Sequence, residues 1–403
     1  MPVSKVLGVG GCDAAKLNGV EIGDIDDCLG IDYTSCGATR WMAGGRLGRV
    51  YTTTASNGLN GWGDGKESGG AVVDLGNGHV YSVAYGTNAD ADDEPVERWV
   101  VGLELINGSF GGTAFINSSS VHDGAGIPFY ATSSNWTSAS VPHGNGYIST
   151  QQLAFGNSTW IRGGKVVNDD GDYLNIGTSS VAAKNSSPGG ALFRMMDINN
   201  SVNDYCRAIA HEGGTSTNWL AVIQSHVWKS ENNGATWTDL GALQGTQDWY
   251  SIAYDGVGRW VVVGGQGDGW TSIVPVADME DTDDWDDVSA KIGTSNNMNS
   301  LVYMKGSVNK WITCGAGGII KTTAFTASAR GPGDSWATPS TPDTTNMNDI
   351  ATDNNVAIAV GYSGRIWSST DAVTWTAANR GDNIGTERLN CIACDIVGGG
   401  GRN

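Results

Sequence analysis

Two acidic stretches, residues 88–94 and residues 278–287, carry the side chains whose chemistry is easiest to name. Clustered carboxylates are the ligands that hard cations such as Ca²⁺ prefer, so each stretch is a candidate for a structural calcium site. Neither stretch has the Asp-x-Asp-x-Asp-Gly spacing of an EF-hand loop. We therefore expect solvated loops and keep calcium as the alternative. The candidate ligands are Asp90, Asp92, Asp93, Asp281, Asp283 and Asp284.

The spacing Cys391-x-x-Cys394 is a second chemical candidate, because paired thiols bind metals or take part in redox reactions. No second cysteine pair and no nearby histidine accompanies it, and the five histidines of the chain show no metal-ligand spacing. Side chains three residues apart on a strand point to opposite faces, which predicts that both cysteines pack in a core. From these patterns we predict no catalytic residue, no metal centre and no cofactor.

A polar turn motif precedes two of the tryptophans. The segment Ser230-Glu-Asn-Asn-Gly-Ala-Thr-Trp237 resembles the Asp-box, Ser-x-Asp-x-Gly-x-Thr-Trp, of sialidase-type and related β-propellers, and a degenerate copy ends at Trp375. The resemblance implies a hairpin between the third and fourth strands of a blade, in which polar side chains bond the turn backbone. The residues with this structural role are Ser230, Asn232, Gly234, Trp237 and Trp375.

The resemblance does not extend to the sialidase active site. Sialidases carry an early Arg-Ile-Pro element and three arginines that bind the substrate carboxylate. The Ile127-Pro128 dipeptide of this chain is preceded by Gly126 and lies far from the first predicted blade. We therefore predict no sialidase activity.

The charge balance argues against several classes of partner. Lys and Arg total 23 against 42 Asp and Glu, a formal net charge of −19. Proteins that bind nucleic acid or an anionic membrane surface need a basic face. No apolar run approaches the length of a membrane-spanning helix, and the first residues lack the apolar stretch of a secretory signal. We expect a protein that binds no nucleic acid and does not insert into a membrane.

Short strands are the elements that must position these residues. The 403 residues include 60 glycines, and a glycine costs about 1 kcal/mol in a helix interior. Apolar runs between Gly, Asn and Asp clusters are typical of strands joined by tight turns. One strand pattern begins with tryptophan six times and recurs without tryptophan at residues 356–361. The six are Trp41, Trp99, Trp160, Trp219, Trp260 and Trp311.

Most copies of this pattern follow one apolar strand and precede two more. Four antiparallel strands repeated seven times predict an all-β fold, a seven-bladed β-propeller of four-stranded antiparallel blades over residues 31–403. A short N-terminal arm over residues 1–30 precedes it. Each blade has two apolar faces, so neighbouring blades must supply its core. We predict that the six periodic tryptophans pack between blades.

Closure of the ring is predicted from the last strand pattern, residues 389–394, which has no second strand after it. We expect this strand to complete the first blade by pairing with the strand that begins at Trp41. In the alternative arrangement, residues 31–35 fill that place and residues 389–394 lie outside the ring.

The first thirty residues have a period of their own. Lys5-Val-Leu-Gly-Val9, Lys16-Leu-Asn-Gly-Val20 and Asp27-Cys-Leu-Gly-Ile31 are three copies of one short pattern. So small a segment cannot form a core by itself. The repeat resembles terminal segments of virion proteins of marine bacteriophages. That resemblance implies an arm that docks the protein onto other virion proteins.

Together these observations favour a non-enzymatic virion component of a bacteriophage. It would be assembled in the host cytoplasm, displayed in multiple copies on the tail or capsid, and able to bind a host surface polysaccharide. One alternative is a tail-spike glycoside hydrolase or lyase, which needs two carboxyl groups about 5–10 Å apart. Another is a cellular Asp-box propeller that acts as an assembly factor, for which we expect a basic face that the sequence does not reveal. The ligand-binding residues are not identified by the sequence.

Overall fold

The chain divides into two compact units, Met1–Thr39 and Arg40–Asn403. In the first unit, β1 (Lys16–Leu17) and β2 (Val20–Glu21) form an antiparallel pair. The rest of the predicted arm, and residues 31–35, lie outside the described residues. The structure, a computed structural model, describes residues 16–17, 20–21, 41–53, 62, 73–74, 78–89, 95–105, 112–118, 136–140, 148–167, 173–180, 194–196, 205–244, 248–324, 335–378 and 384–395.

The described residues of the second unit form seven antiparallel sheets, numbered in chain order. Sheet 1 contains β3 (Trp41–Gly45), β4 (Arg49–Thr53) and β5 (Val73–Asp74); sheet 2 contains β6 (Gly78–Ala89), β7 (Pro95–Leu105), β8 (Gly112–Ser118) and β9 (Trp136–Ser140). Sheet 3 contains β10 (Ile148–Gly156), β11 (Thr159–Val167), β12 (Tyr173–Ser180) and β13 (Arg194–Met196); sheet 4 contains β14 (Cys206–His211), β15 (Trp219–Ile223), β16 (His226–Ser230) and β17 (Thr238–Ala242).

The remaining three sheets follow the same order. Sheet 5 contains β18 (Trp249–Tyr254), β19 (Trp260–Gly264), β20 (Gly269–Ser272) and β21 (Asp286–Asp287); sheet 6 contains β22 (Met298–Met304), β23 (Lys310–Gly315) and β24 (Ile320–Thr323). Sheet 7 contains β25 (Met347–Thr352), β26 (Ala357–Gly361), β27 (Ile366–Ser369) and β28 (Thr376–Ala377).

The chain's last strand, β29 (Leu389–Cys394), belongs to sheet 1. It runs antiparallel to β3, with Leu389 opposite Gly45 and Cys394 opposite Trp41. Sheet 1 therefore combines strands from both ends of the second unit, in the order β29-β3-β4-β5. This pairing ties the C-terminal strand to the first sheet.

The seven sheets are arranged in a closed ring. The first strand of each sheet contacts the first strand of the next sheet, from β6 through β10, β14, β18, β22 and β25 to β29, and β29 in turn contacts β6. Strands near the ring axis are buried on both faces: every residue of β19, Trp-Val-Val-Val-Gly, is buried. Such a ring of antiparallel sheets is a β-propeller. The predicted all-β fold of four-stranded antiparallel sheets is confirmed.

Sheet 6 departs from the predicted four strands, since its described residues form three. Among the described residues after β24, Ala337 alone pairs with it, exchanging backbone hydrogen bonds with Thr322 at 2.8 and 3.0 Å. Pro339, two residues further on, has no N–H to extend the ladder. The fourth strand of this sheet is therefore reduced to one bridge.

Among the described residues, helical structure occurs as short pieces between strands. One turn of α-helix, α1 (Ser289–Ile292), follows β21, and 3₁₀ turns follow the second strands of sheets 5, 6 and 7. Gly318, in the turn of sheet 6, has a φ of +68°, and a Cβ there would lie 2.5 Å from the Asp343 carbonyl oxygen. Among the described residues, no helix has the length and apolarity needed to cross a membrane.

Candidate functional site

The six periodic tryptophans are buried, with no more than 4% of any of them exposed. Five of them pack against the ring directly opposite on the preceding strand, with ring centroids 4.5–5.1 Å apart. The pairs are Tyr85–Trp99, Phe155–Trp160, His211–Trp219, Tyr254–Trp260 and Tyr303–Trp311. Four of the pairs lie where the first strand of a sheet ends and the second begins, whereas in sheet 2 the two strands continue four residues beyond Tyr85 and Trp99. These tryptophans belong to the core.

The polar turn at residues 230–237 lies between the third and fourth strands of sheet 4. The Ser230 hydroxyl accepts the Gly234 N–H at 2.9 Å, and the Asn232 side-chain oxygen accepts the Thr236 N–H at 2.9 Å. The Trp237 indole donates to the Gly234 carbonyl at 3.2 Å. The Asn232 side chain, in the position where the resembled motif usually has an aspartate, therefore closes the turn by bonding the turn backbone.

A second polar turn, between β27 and β28, uses an aspartate. Asp371 Oδ1 accepts the N–H groups of Val373 and Thr374, both at 2.7 Å, and the Ser369 hydroxyl at 3.0 Å. Burial opposes ionisation of Asp371, but these hydrogen bonds outweigh it and lower its pKa to about 2. Trp375 is buried beside this turn. Both turns are held by internal hydrogen bonds and lie at the ends of strands.

The candidate calcium ligands fall into two groups. Asp90, Asp92 and Asp93 lie outside the described residues. Asp281 accepts the Asp283 N–H at 2.8 Å, and Asp284 accepts the Glu280 N–H at 2.8 Å. In the part of the second loop that the structure describes, these carboxylates bond the loop backbone, and no three metal-ligating side chains converge there.

The two C-terminal cysteines are buried on opposite faces of β29 and contact different sheets. Cys391 lies 3.9 Å from the Val80 carbonyl oxygen of sheet 2, whereas the Cys394 thiol donates to the Thr352 carbonyl of sheet 7 at 3.3 Å. Desolvation by burial raises the pKa of the Cys394 thiol well above its usual value. Neither thiol is placed for the paired chemistry that the spacing suggested.

The residues that converge on one site are those at a repeated irregularity of the sheets. Near its start, the first strand of every sheet contains a β-bulge, where one residue has no partner on the second strand. A bulge turns its side chain away from the regular pleat. At six of the seven bulges, the extra residue lines a cavity on the ring axis. They are Tyr81, Arg207, Tyr250, Asn299, Asn348 and Asn390.

We call this cavity, of about 360 Å³, the channel mouth. Sheet 3 contributes Gln152, the residue after its bulge. The remaining described lining residues come from the chain between sheets and from turns between second and third strands. They are Asn297, Ala316, Asn346, Tyr362 and Arg388. The described lining is therefore composed of amides, tyrosine rings, two guanidinium groups and one alanine.

Three asparagines of the mouth join neighbouring sheets. Asn299 Nδ2 donates to the Met347 carbonyl at 2.7 Å, and Asn348 Nδ2 donates to the Leu389 carbonyl at 2.6 Å. Asn390 Nδ2 likewise donates to the Val80 carbonyl at 2.9 Å. Each acceptor is the residue immediately before the bulge of the next sheet. These hydrogen bonds therefore hold the three amides in a fixed array around the axis.

Two arginine–tyrosine stacks flank this array. The Arg207 guanidinium carbon lies 5.3 Å from the centre of the Tyr250 ring, and that of Arg388 lies 4.3 Å from the centre of the Tyr362 ring. One stack is at the boundary of sheets 4 and 5, and the other is at the boundary of sheets 7 and 1. A cation over an aromatic face is attracted by the ring quadrupole, so each tyrosine orients its guanidinium.

His79 lies beside the second stack. The Leu47 N–H donates to His79 Nδ1 at 3.3 Å, which places the proton of the neutral ring on Nε2. Burial, followed by the positive charges of Arg46 and Arg388, lowers the pKa of His79. Among the described residues here, the positive charges of Arg46, Arg49 and Arg388 outnumber the negative charge of Glu387. This corner of the mouth is therefore positive although the chain as a whole is acidic.

The lining residues were missed in the sequence because each looks like an ordinary polar strand end. A signal was nevertheless present: the polar residues Tyr81, Arg207, Tyr250 and Asn348 stand at the same position, four residues before the end of the first strand pattern. The alternation of polar and apolar residues in a sequence does not distinguish a bulge from the end of a strand. The role of this position is therefore visible only in the structure, where seven first strands surround one axis.

Comparisons with known proteins found similar structures but no similar sequence family. No family model and no curated protein matches the chain. A solved structure described as "YCF48 bound to D1 peptide" is 13% identical with a TM-score of 0.48, covering 82% of this chain and 88% of that chain. Another, "YCF48 from Cyanidioschyzon merolae", is 13% identical with a TM-score of 0.48, covering 81% of this chain and 96% of that chain.

Proposed function

We propose that this protein is a non-enzymatic virion component of a bacteriophage whose β-propeller binds a host surface polysaccharide at the channel mouth. The observation that carries the binding role is the convergence of amides, tyrosine rings and guanidinium groups at the bulges of the first strands. Such groups can bond sugar hydroxyls and pack against the apolar faces of sugar rings. The asparagine contacts between sheets hold these groups in place before a ligand arrives, which lowers the entropy cost of binding.

The virion role is supported by the N-terminal repeat. Its pattern resembles terminal segments of phage virion proteins, and β1 and the first residue of β2 lie within its second copy. A two-stranded pair is marginally stable alone, so contacts with a neighbouring virion protein would stabilise it. Residues 1–30 thus form the docking arm of the proposal.

Removing the arm should separate folding from assembly. A chain that begins at Ile31 should keep the melting temperature of the full chain, because the ring lies within Arg40–Asn403. It should fail to enter phage particles, since the docking contacts are gone. The measurement is the amount of the shortened chain in purified particles, relative to the full chain expressed in parallel. Normal incorporation of the shortened chain would reject the docking arm.

Binding at the mouth is tested with Tyr250→Ala on an array of purified bacterial capsular and lipopolysaccharide glycans. For the glycans on the array that the full chain binds, we expect Tyr250→Ala to bind about tenfold more weakly. The reason is that losing one aromatic face costs about 1–1.5 kcal/mol of binding free energy. The control is Val257→Ala in the turn between β18 and β19, at the opposite end of the same strand; Val257 is 74% exposed. Its binding should not change.

The outcomes of the array separate the alternatives. Equal loss of binding in both variants, or no effect of Tyr250→Ala, would place the glycan site away from the mouth. Release of new reducing ends or unsaturated sugars from the bound glycans would indicate the tail-spike hydrolase or lyase. Absence of binding to every glycan would overturn the polysaccharide role and favour the assembly-factor alternative.

A further inference from the structure

Four arginines at the mouth end of the ring differ in their acidic partners. Arg207 bonds Asp248 at 3.0 Å, Arg49 bonds Glu387 at 3.2 Å and Arg365 lies 2.8 Å from Asp343. Arg388 differs, because within the described chain no carboxylate lies at salt-bridge distance from it. Three of these four charges are therefore balanced locally, whereas Arg388, like the exposed Arg46 of the β3–β4 turn, has no carboxylate at that distance among the described residues.

The Arg388 guanidinium is held in place without being satisfied. It has five N–H donors. Its contacts are the Tyr362 ring at 4.3 Å and the Asn348 side-chain oxygen at 3.5 Å. The Nε of Arg388 is buried and finds no acceptor among the described residues, as is also true of the Nε of Arg207. Arg388 differs from Arg207 because no described carboxylate contacts its other donors, so a ligand that supplies acceptors to them at the mouth is favoured.

We propose that Arg388, held by Tyr362 at the boundary of sheets 7 and 1, forms an anion subsite of the channel mouth that binds the carboxylate of an acidic sugar. This inference rests on the proposed polysaccharide function and specifies the glycan as one rich in uronic acid. Stacking holds the planar guanidinium so that one edge is presented, and a carboxylate matches that edge with two parallel hydrogen bonds.

The surroundings favour a carboxylated glycan over a neutral one. Arg46 and His79 lie on the same side of the mouth, where the positive charges of Arg46 and Arg388 both act on His79. The amides of Asn348 and Asn390 line the same cavity and can bond the hydroxyls of the ring that carries the carboxylate. In a chain of net charge −19, this local positive corner gives selectivity for one anionic group at one place.

The experiment uses the full chain and three polysaccharides of uronic acid: polygalacturonate, alginate and hyaluronate. Each is compared with its carboxyl-reduced form, which keeps the sugar backbone and replaces the carboxylate with a hydroxymethyl group. The full chain should bind at least one of the three, and reduction should weaken that binding about tenfold or more, as expected for the loss of a charge-assisted hydrogen-bonded pair. Arg388→Gln should weaken binding of the carboxylated form to the same extent, so that this variant binds the carboxylated and reduced forms about equally.

The matched control is Arg365→Gln, which removes an arginine from the same end of the ring. Because Arg365 is paired with Asp343 and does not line the mouth among the described residues, its binding should stay within about twofold of the full chain. Melting temperatures of both variants establish that each is folded. Equal effects of the two variants would mean that general charge, and not the Arg388 subsite, determines binding.

A second measurement uses the unmodified chain, so its result does not depend on whether the variants fold. A carboxylate bound at Arg388 should raise the pKa of His79, since a nearby negative charge favours the protonated ring. NMR titration of His79 with and without the bound polysaccharide measures this shift.

Retained binding after carboxyl reduction, with no change in the His79 pKa, would overturn the subsite and leave polysaccharide binding intact. Failure to bind these three polymers, with binding of neutral glycans on the array, would overturn the subsite alone. Failure on both sets would overturn the proposed function as well, and binding of polyglutamate instead would indicate a peptide partner.

Discussion

Ending the chain after Glu387 should destabilise the ring by about 5 kcal/mol or more, because burial of an aliphatic side chain contributes about 1.5–3 kcal/mol and β29 buries Leu389 and Ile392 together with both cysteines. The loss is comparable to the whole stability of a domain, about 5–15 kcal/mol. The shortened chain also leaves β3 without its partner at the ring axis. Circular dichroism should show loss of the cooperative thermal transition.

A chain that ends at Asp395 is the matched control. It lacks residues 396–403 and keeps all of β29, so its transition should match that of the full chain. A cooperative transition at the full chain's temperature after removal of residues 388–403 would show that β29 does not close the ring. Adding residues 388–403 as a separate peptide should restore part of the transition if pairing with β3 is the cause.

Asp349→Ala should cost about 3 kcal/mol, because hydrogen bonds to a charged group contribute about 1.5–3 kcal/mol each and buried donors would be left without an acceptor. Asp349 is 1% exposed. Its Oδ1 accepts the Ser300 hydroxyl at 2.7 Å and its Oδ2 accepts the Ile392 N–H at 2.8 Å. One carboxylate thus joins sheets 6, 7 and 1. Chemical denaturation of the folded variant measures the change in the free energy of unfolding.

Ser251→Ala is the control for this prediction. Ser251 holds the equivalent place in sheet 5, where its hydroxyl accepts the Leu301 N–H of sheet 6 at 3.1 Å. A neutral hydrogen bond contributes about 1 kcal/mol, so this variant should lose about a third as much stability as Asp349→Ala. Asp349→Ser should recover part of the loss, since a hydroxyl suffices at the equivalent positions. Equal losses for Asp349→Ala and Ser251→Ala would show that the charge at Asp349 adds nothing.

The repeat of strands was readable in the sequence because each sheet needs the same local pattern. A tryptophan such as Trp260 at the start of a buried strand, a polar turn such as 231–237 and the glycines between strands all act over a few residues. The strand pattern at residues 389–394 has no second strand after it, and the strand that begins at Trp41 could supply one. The sequence therefore favoured pairing between these two strands. The single bridge at Ala337 in sheet 6 was not foreseen, because the Trp336 N–H donates outside the sheet to the Lys291 carbonyl and Pro339 has no N–H to donate.

The candidate site was not readable in the same way. Asn299, Asn348 and Asn390 are unremarkable polar residues in the sequence, and the contacts that align them reach 41 to 310 residues along the chain. The acidic loops were the more conspicuous chemical signal, yet the described carboxylates of residues 281–284 bond their own loop. Local composition indicates what a segment contains, whereas a site depends on which segments meet.

What the amino-acid sequence determined by itself is the strand as a unit: its length, its buried character, its turns and its repetition around a glycine-rich chain. These follow from short-range preferences and from the apolar surface each sheet must bury against its neighbours. Only the tertiary structure decided which side chains face the axis, because six of the seven bulges direct a residue from a different sheet into the same cavity. It also decided that, among the described residues, no carboxylate lies at salt-bridge distance from Arg388 while Arg49, Arg207 and Arg365 are paired. Charge pairing depends on distance in space, and the order of residues in the chain does not specify that distance.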